Sequence, residues 1–164
     1  MNGRFVHLSK RPLIAIHDCQ QTGTPNHKPL GLWFSVESDR QDGWIDWCKD
    51  NAWRDPDEAF HTELDVDMSR MLLISSANEL DLFHAEYAAN PWPPYPQWNK
   101  VADQWDGIVI APYIVERRFE GDASRWYYGW DCASGCVWDA SAVKLLNESK
   151  CLERLHETHH RDRS

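Results

Sequence analysis

The chain is 164 residues long and lacks several features that would assign it quickly. No apolar run approaches the roughly 20 residues that span a bilayer, so a helical membrane protein is excluded. The opening segment, Met1 to His7, has no apolar core of the kind a secretion signal carries. Cations are scarce: 17 Lys and Arg stand against 26 Asp and Glu, a formal charge of −9. Non-specific grip on a nucleic-acid backbone needs clustered cations and is therefore disfavoured, although a nucleotide held by a few local donors is not. There is no Gly-rich phosphate loop, no Gly-x-Ser-x-Gly and no His-Glu-x-x-His, which removes the common kinase, dehydrogenase and hydrolase readings. The cysteines number five, an odd count. Without a secretion signal they read as reduced thiols, and the expectation is a cytoplasmic protein with no membrane partner. No internal repeat or low-complexity stretch is present.

What is there is a balanced composition, 42% hydrophobic and 26% charged, of the globular kind. The length suits one domain with a sizeable core. Ten tryptophans are the compositional oddity. They read either as core or as walls of a groove for planar rings.

The pattern along the chain predicts short elements. Arg4–Leu8 reads as a strand, and Leu13–Ile16 is too short to assign by period. Asp18–Pro29, rich in Thr, Gln, Gly and Pro, reads as a surface loop. Gly31–Val36 is apolar on both faces and reads as a central strand. After Asp42-Gly43, the i, i+3, i+4 spacing of Trp44, Trp47 and Cys48 predicts a helix ended by Asp55-Pro56-Asp57. Phe60, Thr62, Leu64, Val66 and Met68 alternate with His61, Glu63, Asp65 and Asp67, a strand with one buried and one acidic face. Met71–Ile74 is a further strand. Ser76 to Glu79 opens a helix that runs to about Ala89. Asn90–Pro96 is a rigid, proline-rich loop. Trp98–Trp105 predicts a short helix, then strands follow at Ile108–Ile110, Arg125–Trp130 and Cys136–Trp138. Ala142–Leu146 is a last strand or helix start. The sum is α+β: a compact single domain with a split, mostly antiparallel sheet and two or three helices. Residues 1–146 form the domain, and 147–164 read as a charged tail with helical character.

Three constellations carry chemistry. Cys132 and Cys136, with Cys151, His156, His159 and His160, have zinc-ligand spacing. The Gly135–Trp138 context reads instead as a buried strand in which Cys is a small hydrophobe, and no metal is expected. His17, Asp18 and Cys19 form a Cys/His pair on paper, but adjacent strand residues point to opposite faces. The third set is spread over the chain: His7-Leu8-Ser9, Gly31-Leu32-Trp33-Phe34-Ser35, Trp105-Asp106-Gly107-Ile108-Val109, and Trp138-Asp139-Ala140-Ser141-Ala142-Val143-Lys144.

In its order this set resembles the small ADP-ribosyltransferases of the His–Tyr–Glu type. In that family a strand-borne His opens the domain and a Gly-x-aromatic-aromatic-small strand follows. Strands of the form Tyr-Asp-Gly-Ile-Val and aromatic-Asp-Pro-x-x-Ile-Lys close it. The resemblance covers residues 4–145 and implies NAD as substrate, with a protein or nucleic-acid acceptor. It implies that His7, with Ser9, holds ribose hydroxyls, and that Trp33 stacks on the nicotinamide where the family has tyrosine. Ser35 supports that strand, and Trp126 or Tyr113 adds a wall. The family's glutamate falls on Ser134 here, so the carboxylate must come from elsewhere: Asp131 is the first candidate and Glu116 the second. Arg117-Arg118 reads as a solvated basic pair or a pyrophosphate clamp. The rival reading is a non-enzymatic, acidic, Trp-rich interaction or inhibitor module, with Trp92, Tyr95 and Trp98 as its contact surface.

Overall fold

The computed structural model describes residues 3–53, 55, 59–89 and 94–150. Seven strands form one sheet in the order β4-β5-β6-β2-β1-β3-β7. They are β1 (Arg4–Ser9), β2 (Leu32–Glu37), β3 (Phe60–Val66), β4 (Met71–Ile74), β5 (Gly107–Ile110), β6 (Ser134–Val137) and β7 (Val143–Lys150). Only β4 and β5 run parallel; every other pairing is antiparallel. Helices α1 (Trp44–Asp50), α2 (Ala77–Tyr87), α3 (Trp98–Ala102) and α4 (Ser124–Tyr127) complete the α+β domain. The last two are a turn or so each. No helix among the described residues is long and apolar enough to cross a membrane.

Period-2 patterning positions the sheet. In β3, Thr62, Leu64 and Val66 are buried while His61 and Glu63 are half-buried and Asp65 is exposed, as the alternation predicts. In β5 both faces are covered. Ile108 and Ile110 join the core beneath α2, α3 and α4, and Val109 joins the opposite core. That second core gathers Met71 from one edge of the sheet order and Val143 from the other, with Phe34, Val36 and Leu64 from strands between. Residues from opposite edges meet because the sheet curls.

The helical core is aromatic. Phe83, Trp98, Trp126, Tyr127 and Trp130 contact one another with ring centroids 5.4–6.2 Å apart. Trp98, Trp126 and Trp130 are almost fully buried, so much of the tryptophan content is core. Trp53, by contrast, is 61% exposed. Helix α2 starts at Ser76, whose side chain accepts from the Glu79 amide, the signal legible in the sequence.

Two expectations need correction. Arg125–Trp130 is not a strand: α4 occupies Ser124–Tyr127, and the Tyr127 and Tyr128 amides donate to the Ala123 and Ser124 carbonyls. The buried residues are Ala123, Trp126, Tyr127 and Trp130, spaced i, i+3, i+4, i+7. That is a helical stripe, and it overrides the strand preference of a Trp-Tyr-Tyr run. Strand β7 also continues past residue 146, pairing Phe60 with Lys150, so the sheet extends into the segment read as tail. Residues 151–164, which carry the helical-tail expectation, lie outside the described residues. So do 90–93 of the proline-rich loop, with Trp92, and the Pro56-Asp57 stop signal.

Two outcomes follow from the packing. A Cβ on Gly135 would lie 2.4 Å from Cζ of Phe34 and 2.8 Å from the Ile108 carbonyl oxygen. Gly135→Ala is expected to destabilise by about 1–3 kcal/mol in urea unfolding, whereas Gly23→Ala, with open space around it, is expected to change stability by less than about 0.5 kcal/mol. The Trp126 indole N–H donates to Nδ1 of His84 at 3.2 Å, which requires that nitrogen unprotonated. Burial holds the His84 pKa below its ordinary 6.5, against the opposing pull of Asp122 and Asp81. The unfolded chain therefore takes up this proton first as pH falls. The His84 contribution is complete above pH 6.5 and declines as pH drops from there toward the lower folded value. Melting temperatures of wild type and His84→Gln at pH 7.5 and 5.5 check this: the acid-side loss is expected to shrink in the variant.

Candidate functional site

The site begins where a ladder stops. Strands β1 and β2 pair from Arg4↔Glu37 only as far as Val6↔Ser35. Beyond that point β1 continues with β3 to Ser9↔Phe60, and β2 continues with β6 to Leu32↔Val137. The sheet is therefore split, and His7, Leu8, Trp33 and Phe34 border the gap. A cavity of about 240 Å³ opens there, lined on these strands by Val6 through Leu8 and Trp33 through Ser35.

The His7 ring spans the gap. Its Nδ1 lies 2.7 Å from the Trp33 carbonyl oxygen. A carbonyl only accepts, so Nδ1 carries the hydrogen, and in the neutral ring Nε2 is the lone-pair nitrogen. The bond orients the imidazole and satisfies a backbone acceptor on the β1 side of β2 that the ended ladder leaves open.

Three indoles wall the cavity. Trp33 meets Trp130 edge-to-face at 4.9 Å, and Trp44 enters from the start of α1. Trp44 also stacks on Trp47 at 4.6 Å, with planes 8° apart. The Trp44 position is set from β2. Helix α1 begins at Gly43 without a side-chain cap of its own. Ser35 Oγ accepts from the Trp44 amide at 2.6 Å and donates to Glu37 Oε1, which itself accepts from the Ile45 amide. The Glu37 carboxylate thus lies against the positive end of the helix. A Cβ at Gly43 would come within 2.6 Å of that carboxylate, so a larger residue there would push the Glu37 side chain aside.

Charge enters from two sides. The Lys28 ammonium sits over the Trp33 ring, 5.2 Å from its centroid. Asp131 lines the cavity and accepts through Oδ1 from Nη2 of Arg118 at 2.8 Å. The Arg118 guanidinium also rests against Phe119 and Tyr128, at 5.4 and 5.5 Å from their centroids. Cys132 is in the wall as well, but burial pushes its thiol up to about 12, so it stays a neutral thiol at ordinary pH.

Of the residues singled out in the sequence, the fold brings His7, Trp33, Ser35 and Asp131 to this one cavity. Ser35 contributes by holding Trp44; its hydroxyl is already engaged. Ser9 lies outside the lining and donates to the Arg11 carbonyl. Trp126 is fully buried in the aromatic core, and Glu116 is exposed on a 3₁₀ turn; neither lines the cavity. Tyr113 acts from behind, donating to the Trp130 carbonyl. Arg117 and Arg118 are not a solvated pair. Arg117 binds Asp81 through Nε and Nη2, both at 2.8 Å, which holds the Asp81 carboxyl below its usual range. Asp18 and Cys19 anchor a loop: the Cys19 amide donates to the Trp138 carbonyl, and Asp18 Oδ1 accepts from the Ala140 amide; His17 beside them is exposed. Cys132 and Cys136 are buried free thiols, and the remaining zinc candidates lie outside the described residues.

Among the lining residues that the sequence did not single out are Lys28, Trp44 and Trp130. Ser134 is the position where the resemblance expects glutamate, and it does line the cavity. Trp44 and Trp130 carried helical spacing, the one signal that could have placed them. Two larger hollows, of about 740 and 820 Å³, are lined around Asp39 and Arg40 and around Arg4 and Asp46. Neither has an aromatic ring in its wall.

Comparison with protein-family models, curated proteins and solved structures finds no significant match. The site therefore stands on its own geometry. Ser35→Ala is expected to cost about 1–2 kcal/mol in unfolding free energy, the usual cost of a lost helix cap. It is also expected to alter tryptophan fluorescence, because Trp44 loses its anchor.

Proposed function

We propose that this domain binds NAD at the split between β1 and β2 and cleaves it, passing ADP-ribose to a macromolecular acceptor or to water. The observation that carries the reading is the convergence of His7, Trp33 and Asp131, from β1, β2 and the segment before β6, on one cavity. The cavity lies just below the usual range of about 300–1,000 Å³ for small-molecule sites. A volume of about 240 Å³ suits a nicotinamide ring with its ribose, leaving the remainder of the dinucleotide at the mouth.

Each residue has a role that its chemistry permits. The bond from His7 to the Trp33 carbonyl leaves Nε2 as an acceptor for a ribose hydroxyl. The indoles offer flat faces to the cationic pyridinium ring. Cleavage breaks the bond between the ribose anomeric carbon and the ring nitrogen. The electron pair leaves with neutral nicotinamide, and the sugar passes through an oxocarbenium-like state. The acceptor's nucleophilic atom then bonds to the anomeric carbon and releases its proton to solvent. A carboxylate beside the sugar stabilises the positive charge as it develops. Asp131 is the carboxylate of the lining, with Oδ2 outside the Arg118 ion pair.

The second reading, a domain that holds NAD or a nucleotide without turning it over, rests on that ion pair. Arg118 offsets part of the negative charge the transition state needs. Incubation with NAD labelled in the nicotinamide ring separates the outcomes. Nicotinamide release is expected, with Asp131→Asn lowering the rate by about 100-fold while NAD affinity changes by less than about threefold. His7→Ala is expected to weaken NAD binding, read by quenching of tryptophan fluorescence. Binding without release selects the second reading; neither binding nor release overturns both.

A further inference from the structure

Lys28 is the cavity residue whose placement the NAD reading leaves unexplained. It lies on the loop between β1 and β2, between two anchors. On one side the Asn26 amide donates to the Pro96 carbonyl, and the Asn26 carbonyl accepts from the Trp98 indole N–H at 2.8 Å. On the other, the buried Gln21 amide clasps Leu30, accepting from its N–H at 3.0 Å and donating to its carbonyl at 2.6 Å. The stem of Lys28 passes close to Gly129, where a Cβ would be 3.5 Å from its Cε. The backbone is thus fixed on both sides of Lys28. The ammonium is not: among the described residues no carboxylate pairs with it, and the contact it makes is with the Trp33 face.

A ring face that holds an ammonium cannot at the same time stack a pyridinium. Both are cations, and both seek the same negative π surface. We infer that Lys28 is a built-in occupant of the cavity: its ammonium covers the Trp33 face in the empty site and swings onto the ligand's phosphate when a cationic ring takes that face. The inference rests on the NAD reading and narrows it. The site selects molecules that carry a planar cation and a phosphate within reach of one lysine stem, which describes a pyridinium nucleotide. A phosphate-free pyridinium must displace the ammonium without giving it a new partner, so it is disfavoured. Four methylenes and free rotation give the side chain the reach to make this exchange without moving the anchored backbone.

Two probes test this, nicotinamide mononucleotide and nicotinamide riboside, which share ring and sugar and differ in the phosphate. Each is titrated into the full chain by calorimetry, for wild type, Lys28→Ala and Lys28→Met, with unfolding midpoints recorded for all three. Removing the ammonium is expected to tighten riboside binding by about threefold to tenfold, and to weaken mononucleotide binding by about tenfold. Movement of both probes in the same direction, or of neither by more than about twofold, overturns the occupant role and leaves the NAD reading standing. Failure of wild type to bind either probe also overturns this inference, whereas the NAD reading falls only if NAD itself neither binds nor releases nicotinamide.

Discussion

The site depends on a hydrogen bond across a gap. An antiparallel pair that simply continued would satisfy its own backbone and leave no space. Here β1 and β2 part after Val6 and Ser35, each following a different neighbour. The Trp33 carbonyl, facing the gap, would cost about 1–3 kcal/mol if buried without a donor. The Nδ1–H of His7 supplies that donor at 2.7 Å. One contact therefore satisfies the orphaned acceptor, fixes the imidazole plane and decides which nitrogen keeps its lone pair. Splitting the sheet and preparing the histidine are a single structural event.

Around that bond the walls are held from outside the cavity. Ser35 and Glu37 on β2 cap α1 and so fix Trp44. Tyr113 holds the Trp130 carbonyl, and α4 packs Trp130 among Trp126 and Tyr127. Side chains whose rotamers are fixed by packing present rigid faces and lose little entropy when a flat ligand arrives. The charged members differ in this respect. Asp131 is tied to Arg118, whereas Lys28 rests on a ring face with its backbone pinned. The cavity thus combines an aromatic shell with a lysine ammonium that, among the described residues, pairs with no carboxylate.

The pattern of residues foretold much of the fold, and its failures are instructive. The alternation from Phe60 to Met68 announced a strand with one buried face, and the doubly apolar Gly31–Val36 announced a central strand, because a period of two has few alternative structural meanings. Ser76 with Glu79 announced α2 through cap chemistry that is local in the chain. The run Arg125–Trp130 misled because its aromatics favour strands, while its burial followed Ala123, Trp126, Tyr127 and Trp130 at helical spacing. Lys28 could not have been found: a lysine in a polar loop has no distinguishing pattern, and its place over Trp33 comes from anchors at Pro96 and Trp98 far along the chain.

The amino-acid order alone determined the α+β class, most of the strands, and the candidates His7, Trp33 and Asp131. The class and the strands follow from local periodicity, which acts over a few residues; the three candidates are what the resemblance in motif order implies. The tertiary structure alone decided that those three face one cavity, that Ser9, Trp126 and Glu116 do not, and that Asp131 is shared with Arg118. The reason is geometric. Where a ladder ends, how a sheet curls and which loop is strapped across it are set by contacts between residues tens of positions apart, and no local pattern encodes such distances.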